Sequence, residues 1–244
     1  MKITSVNNDL VKEVAKLQQR KYRDENGLFL LEGDKCIQEA IESGIEIEHL
    51  FVMEGYDVFN NIEKIETTEA VLSKISTTTS APKTVAVGKQ IKQKWSGEYK
   101  KVVLLENIKD AGNLGTILRT SAAFDVDAVI LYGDTVDLYN PKCVRSSVGN
   151  LWKVPVFELK DLSQLKEKFG RYEIIATLPK SNETVWLKDY IPEDKVLIMF
   201  GTESSGLSEE LKKFATRNIT IEMSDRVESL NLSISVGVML YKIM

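Results

Sequence analysis

The chain of 244 residues is short of the residues that carry most metal and nucleophile chemistry. It has one histidine and two cysteines. Two thiols cannot staple a fold of this length, and Cys36 and Cys143 stand too far apart for a paired-ligand motif. They read as reduced thiols of a core or a helix face. His49 lies in Glu46–Val52, the start of a strand, with no nucleophile or orienting motif beside it. Serine-triad and metal-hydrolase chemistry are thereby disfavoured, and no metal is expected. Long apolar runs are also missing. The longest, Leu232 to Met244, is too short and too polar to span a bilayer. The first residues, MKITSVNNDLVKE, lack the apolar core of a signal peptide. A cytoplasmic protein with no membrane partner is the expectation.

An excess of positive charge is absent too, the formal net charge being −4. A basic whole-domain footprint for nucleic acid is therefore not present. The charge is uneven, however. Lys12, Lys16, Arg20, Lys21 and Arg23 cluster near the N-terminus. Lys83, Lys89, Lys92, Lys94, Lys100 and Lys101 form a second run. Local patches of this kind can meet phosphates while the remaining surface stays acidic; either patch alone is equally well a solvated face.

Hydrophobic residues make up 43% of the chain and charged ones 28%, ordinary for a globular protein. Their periodicity gives an α/β chain. The first part reads as helix Asp9–Leu17, strand Leu28–Glu32, helix Asp34–Ser43, strand Ile47–Met53, helix Glu69–Ile75 and strand Thr84–Val87. The polar stretch Lys89 to Lys100, with Ser96-Gly97, is the linker candidate. Beyond it, strand Lys101–Glu106 leads to a helix over Asn113–Phe124 and a strand over Asp127–Tyr132. The alternation continues through helices near Pro141–Ser147 and Asp161–Phe169. Its strands lie near Val154–Phe157, Tyr172–Thr177 and Val196–Phe200. This is the pattern of a parallel sheet with helices on both faces.

Ligands of such sheets bind beyond the C-terminal strand ends. Three segments fall there. Glu106 to Thr120 has Gly112 and Gly115, which allow close backbone approach, Asn113 as a helix cap or ligand group, and Arg119 displaced from the apolar stripe. Phe200 to Ser208 sets Glu203 between Gly201 and Gly206. Ile219 to Ile243 reads as a strand to Met223, then a helix opened by Ser229 and Asn231. That helix is apolar nearly all round, so it is expected to be buried on all sides or to form a subunit interface. No GxGxxG or GxSxG pattern occurs.

Taken together and in order, these segments resemble the three motifs of the SpoU (TrmH-like) branch of the SPOUT RNA 2′-O-ribose methyltransferases. The matching residues are Asn113–Thr120 (NLGTILRT), Phe200–Leu207 (FGTESSGL) and Ile221–Tyr241 (IEMSDRVESLNLSISVGVMLY). Arg145–Gly149 followed by Val154–Val156 resembles the family's intermediate segment. Phe29–Gly33 and its helix resemble the L30e-like RNA-binding domain of ribosomal-RNA members. Two positions depart from the pattern: Glu222 stands where proline is usual, and Asp225 where glycine is.

The resemblance implies an L30e-like domain over 1–92, a linker over 93–100 and a SPOUT domain over 101–244 with a deep trefoil knot. It implies a homodimer through the C-terminal domain. S-adenosylmethionine would be held by Thr177, Leu178, Gly201, Glu203, Gly206, Leu207, Ile221, Met223 and Leu230. Arg119, Asn113, Glu203, Ser229 and Asn231 would carry the reaction. Lys12, Arg20, Lys21, Arg23 and Arg145 would bind the RNA. The implied reaction is methyl transfer to a ribose 2′-hydroxyl of structured RNA, 23S ribosomal RNA first. Transfer RNA, or a non-catalytic role in RNA binding and ribosome assembly, are the alternatives. An arginine holds its proton tightly, so Arg119 reads better as a clamp on phosphate and 2′-oxygen than as a base.

Overall fold

A computed structural model describes residues 1–202 and 205–243. The chain forms two compact units. The first comprises Met1–Lys92 and Asp137–Trp152, the second Gln93–Val136 and Lys153–Met244.

The first unit is built from β1 (Lys2–Ile3), α1 (Asp9–Lys16), α2 (Arg20–Asn26), β2 (Leu28–Glu32), α3 (Asp34–Glu42), β3 (Ile47–Met53), β4 (Ile65–Thr67), α4 (Glu69–Ile75) and β5 (Thr84–Lys89). Its sheet runs β1-β4-β3-β5-β2, with β5 antiparallel to both β2 and β3. Val11, Val14, Leu30, Phe51, Leu72 and Val85 contribute to its buried core. The helix Asn8 opens is fixed locally: the Asn8 side chain accepts the Leu10 amide at 3.0 Å. Helix α2 has no apolar stripe and its buried residue is Arg23, which explains why periodicity does not reveal it.

The segment Asp137–Trp152, with its helix Pro141–Ser146, folds into this first unit although it lies far along the chain. Aromatic contacts and ion pairs hold it. Phe29 meets Tyr139 at 4.7 Å and Trp152 at 6.1 Å between ring centroids. Arg23 pairs with Asp137 at 2.6 Å, and Arg145 pairs with the buried Glu32.

The second unit contains β6 (Lys101–Glu106), α5 (Ala111–Ala123), β7 (Ala128–Tyr132), β8 (Val156–Leu159), α7 (Ser163–Phe169), β9 (Glu173–Thr177), β10 (Val185–Trp186), β11 (Val196–Phe200), α8 (Glu209–Lys212), β12 (Arg217–Thr220) and α9 (Leu232–Ile243), the sixth helix being Pro141–Ser146 above. Its seven strands run β10-β12-β9-β11-β6-β7-β8, and every pairing is parallel. Strands covered on both faces read as continuous apolar runs, as VLIMF of β11 does: all five residues are buried. The polar stretch read as a linker is anchored in this unit. Trp95 stacks on Tyr99, Phe157 and Phe169 at 4.6, 4.8 and 5.6 Å.

Several boundaries differ from the sequence reading. Helix α5 begins at Ala111, because Asp110 rather than Asn113 is its cap: the Asp110 carboxylate accepts the Asn113 amide at 2.8 Å. Gly112 and Gly115 lie within the helix rather than in the loop before it. Strand β12 spans Arg217–Thr220, and Ile221–Asn231 run on as a loop. Helix α9 starts at Leu232, since Asn231 accepts the Ser233 amide at 2.9 Å. Nor is α9 buried all round. Ile234, Val238 and Tyr241 are 54%, 37% and 78% exposed, and form a stripe along one face.

Both thiols are buried. Burial pushes the Cys36 thiol up to about 12 and the Cys143 thiol up as well, so neither is a nucleophile at neutral pH. Among the described residues no helix is long and apolar enough to cross a membrane, and no cluster of His, Cys, Asp and Glu could hold a metal ion.

Candidate active site

Strands β9, β11 and β12 end side by side, and the loops that leave them enclose a cavity of 450 Å³. That volume falls within the roughly 300–1,000 Å³ of small-molecule and cofactor sites. Each loop is shaped by its own local bonds.

After β11, Thr202 and Gly206 pair with each other in antiparallel fashion. The Thr202 amide donates to Gly206 O at 3.2 Å, and the Gly206 amide to Thr202 O at 2.9 Å. The Thr202 and Ser205 hydroxyls lie 2.7 Å apart. Gly206 turns with φ of +65°, a region that favours glycine. Gly201 serves another need. A Cβ there would lie 2.0 Å from Gly206 C, 2.1 Å from Gly206 O and 2.2 Å from Leu207 N, so only glycine lets the two arms close. The exit of the loop is pinned by Glu106 at the end of β6, whose buried carboxylate accepts the Ser208 amide at 2.8 Å. Glu203, expected to act both in catalysis and on the cofactor, lies outside the described residues.

After β9, Thr177 donates to Met199 O at 2.8 Å, and the Leu178 amide donates to Ile219 O at 3.0 Å. These bonds tie the three strand ends together. After β12, the Glu222 carboxylate accepts the Lys188 amide at 3.0 Å. A proline in that position could not make this bond. The loop then returns to α9 at Asn231.

Around this cavity the structure gathers Thr177, Leu178, Gly201, Gly206, Leu207, Ile221, Met223 and Leu230, together with Ser229. Sequence reading did not single out Lys212, Glu228 and Ser235, which also line it. Glu228 sits directly before Ser229 in the third segment, which is the signal that could have found it. Lys212 comes from α8, whose role no spacing announces. Among the described residues the walls are mainly apolar, with several hydroxyls, the Glu228 carboxylate and the Lys212 ammonium. Such a lining suits a ligand with an apolar or aromatic body and a zwitterionic end. A carboxylate such as Glu228 can balance a cationic centre, while the Lys212 ammonium is bonded to Glu209 at 2.7 Å.

Asn113 and Asn231 do not line the cavity but join its first and third segments: the Asn231 side-chain amide donates to Asn113 Oδ1 at 3.1 Å. Arg119 is exposed on α5 and does not line the cavity within one chain. It stands about 9 Å along the helix from Asn113 and about 120° around it. Helix α5 packs on α9, where Phe124 meets Tyr241 at 6.3 Å.

The cations expected to meet RNA divide. Lys12, Arg20 and Lys21 are exposed, each beside a carboxylate: Asp9 at 3.1 Å, Asp24 at 3.4 Å and Glu25 at 3.9 Å. Arg23 is 2% exposed. Its guanidinium is committed to Asp137 and to Leu17 O at 2.8 Å, so it cannot reach a phosphate, and it leaves the RNA surface. Arg145 is partly exposed and holds Glu32 and Thr77.

Comparison with known proteins agrees with this geometry. The pattern of the SpoU rRNA Methylase family matches residues 100–241, and that of the MRM3-like substrate binding domain matches residues 8–86. The uncharacterized tRNA/rRNA methyltransferase slr1673 of Synechocystis is 34% identical, over 98% of this chain and 92% of its own length. The 23S rRNA (guanosine(2553)-2′-O)-methyltransferase RlmP of Bacillus subtilis is 27% identical, over 98% of this chain and 97% of its own. Among solved structures, the AdoMet-bound rRNA methyltransferase of Sinorhizobium meliloti superposes with a TM-score of 0.85 at 28% identity, covering 99% of this chain and 96% of that one. A crystal structure of an RNA 2′-O ribose methyltransferase gives 0.84 at 28% identity, covering 99% and 97%. The chain belongs to the SpoU rRNA methylase family and is an S-adenosylmethionine-dependent RNA methyltransferase.

Proposed function

We propose that this protein methylates a ribose 2′-hydroxyl of 23S ribosomal RNA, as a homodimer, with its donor held in the cavity at the ends of β9, β11 and β12. The cavity carries this reading: its apolar walls, its hydroxyls and the Glu228 carboxylate suit an adenosyl group, an amino-acid end and a sulfonium. S-adenosylmethionine, when bound there, supplies the methyl group as an electrophile. The chain's own residues have to orient the acceptor and stabilise the oxygen as its proton leaves. Arg119 is assigned to clamp the acceptor's phosphate and 2′-oxygen, with the proton passing to water or phosphate. Asn113 and Asn231 hold the first and third segments together, and Ser229 faces the cavity. Glu203 is assigned to orient Arg119 and the ribose.

Two relatives support ribosomal RNA. The Bacillus subtilis protein acts on a guanosine of 23S RNA and a Streptomyces azureus relative on an adenosine, so the target base varies between them. Mapping 2′-O-methylation in 23S RNA, with cells carrying the wild type, Arg119→Lys or no copy, tests the reading. One ribose should lose its methyl without the protein, and Arg119→Lys should methylate poorly while its cofactor affinity stays normal. Full methylation by Arg119→Lys would refute the planar clamp. An unchanged 23S map would refute the substrate.

The exposed stripe of α9 supports the dimer. Ile234, Val238 and Tyr241 offer an apolar face at helical spacing, suited to a second copy. Arg119 would then serve a cavity completed across the interface. Ile234→Asp should give a monomer in analytical ultracentrifugation and lose methylation with it. A monomeric wild type would overturn the dimer.

A further inference from the structure

We propose that Trp186, flanked by Lys180 and Lys188, is a stacking platform for an unpaired base of the RNA next to the acceptor nucleotide. The Lys180 and Lys188 ammonium groups lie 5.3 and 5.9 Å from the centre of the Trp186 ring. Trp186 is half-buried and both lysines are exposed. Among the described residues neither lysine has a carboxylate partner, whereas Lys12, Arg20 and Lys21 each do. The two ammonium groups thus lie beside the aromatic ring without a salt-bridge partner of their own among the described residues, although the Glu222 carboxylate holds the Lys188 backbone amide.

Position adds to composition. Trp186 closes β10, the edge strand of the seven-stranded sheet, at the C-terminal strand ends whose loops line the cavity. Its register partner on β12 is Thr220, a cavity residue, so the two backbones are one strand spacing apart, about 5 Å. Lys180 directly follows Pro179, which lines the cavity, and Lys188 is held through its amide by Glu222. The platform is therefore built onto the rim of the donor site. Aromatic rings with nearby cations bind single-stranded nucleic acid by stacking and by phosphate contact, without reading the base. An RNA segment threaded to the cavity meets that chemistry here. The inference rests on the cavity being the donor site.

The test uses the full chain and a labelled ten-residue oligoadenylate, with S-adenosylmethionine affinity measured in parallel. Trp186→Ala should weaken the oligonucleotide by about tenfold, and Trp186→Phe by less. Lys180→Ala with Lys188→Ala should lower the slope of log affinity against log salt by about 1.4, two phosphate contacts on a single strand. Donor affinity should not change in any of these. Unchanged oligonucleotide binding in Trp186→Ala would overturn the platform, as would equal loss of donor and oligonucleotide, which marks a purely structural tryptophan. A wild type that binds the oligonucleotide but no donor would instead refute the cavity assignment on which the platform depends.

Discussion

Gly201→Ala is expected to slow methyl transfer by about 100-fold or more, the cost of displacing a positioned reactant by an ångström. The cause is steric and local. Non-bonded carbon atoms settle at roughly 3.5–4.0 Å. The added methyl would meet Gly206 C at 2.0 Å, and its neighbours in the clash are backbone atoms too. No rotamer can relieve that contact, so the Thr202–Gly206 pairing must open and the cavity wall must move. Gly206 provides the contrast. It has the left-handed φ of +65°, but a Cβ there meets nothing within 4 Å. Gly206→Ala therefore costs only the backbone strain, about 1–3 kcal/mol, and Gly206→Asn less, because asparagine tolerates that region. Donor titration of the three variants, beside circular dichroism to show that the sheet persists, checks the order. A Gly201→Ala protein with wild-type donor affinity would refute the cavity as the donor site.

The same loop shows what the sequence reveals and what it hides. Glycines beside a strand end are local signals, and Gly201 and Gly206 do meet at one cavity; Thr177, Leu178 and Leu207, which only the family resemblance implied, line it too. The parallel sheet is legible for a similar reason: β11 is an unbroken apolar run and β6 has one at its centre, Val102–Leu105. Features that depend on partners far along the chain are not legible. Glu106 looks like the last residue of a strand, yet it anchors Ser208, 102 positions later. The stripe on α9 cannot be separated from its buried faces by hydropathy, since both are apolar. Arg23 sits in a helix with no apolar stripe, and its basic neighbours make it read as surface charge. Its partner Asp137 is 114 positions away. Such pairing follows from the fold, and no period or motif encodes it.

Arg23→Ala is therefore expected to destabilise the first unit by about 3–5 kcal/mol, the cost of breaking a buried ion pair from one side. The arginine donates through Nε to Asp137 Oδ2 at 2.7 Å and through Nη1 to Leu17 O at 2.8 Å. Its removal strands both acceptors. Asp137, whose side chain is 10% exposed, would keep the Tyr139 amide at 2.9 Å but no cation. Arg23→Met combined with Asp137→Leu removes both charges at once, and most of the loss should return, because the penalty lies in the unpaired carboxylate more than in the missing attraction. Urea unfolding followed by tryptophan emission, in a background where Trp95 and Trp186 are replaced by phenylalanine, reads this unit through Trp152, which lies against Phe29. A single variant within 1 kcal/mol of wild type (against the roughly 3–5 expected) would mean that Asp137 finds water or another donor. The consequence reaches past one residue. The segment that Arg23 holds follows β7 and precedes β8 in the chain, so a fragment ending at Lys92 would leave Arg23, Glu32 and Phe29 without their partners from Asp137–Trp152. The substrate-binding unit is completed by chain that the methyltransferase pattern claims as its own, and the two halves of this enzyme cannot be separated by a single cut.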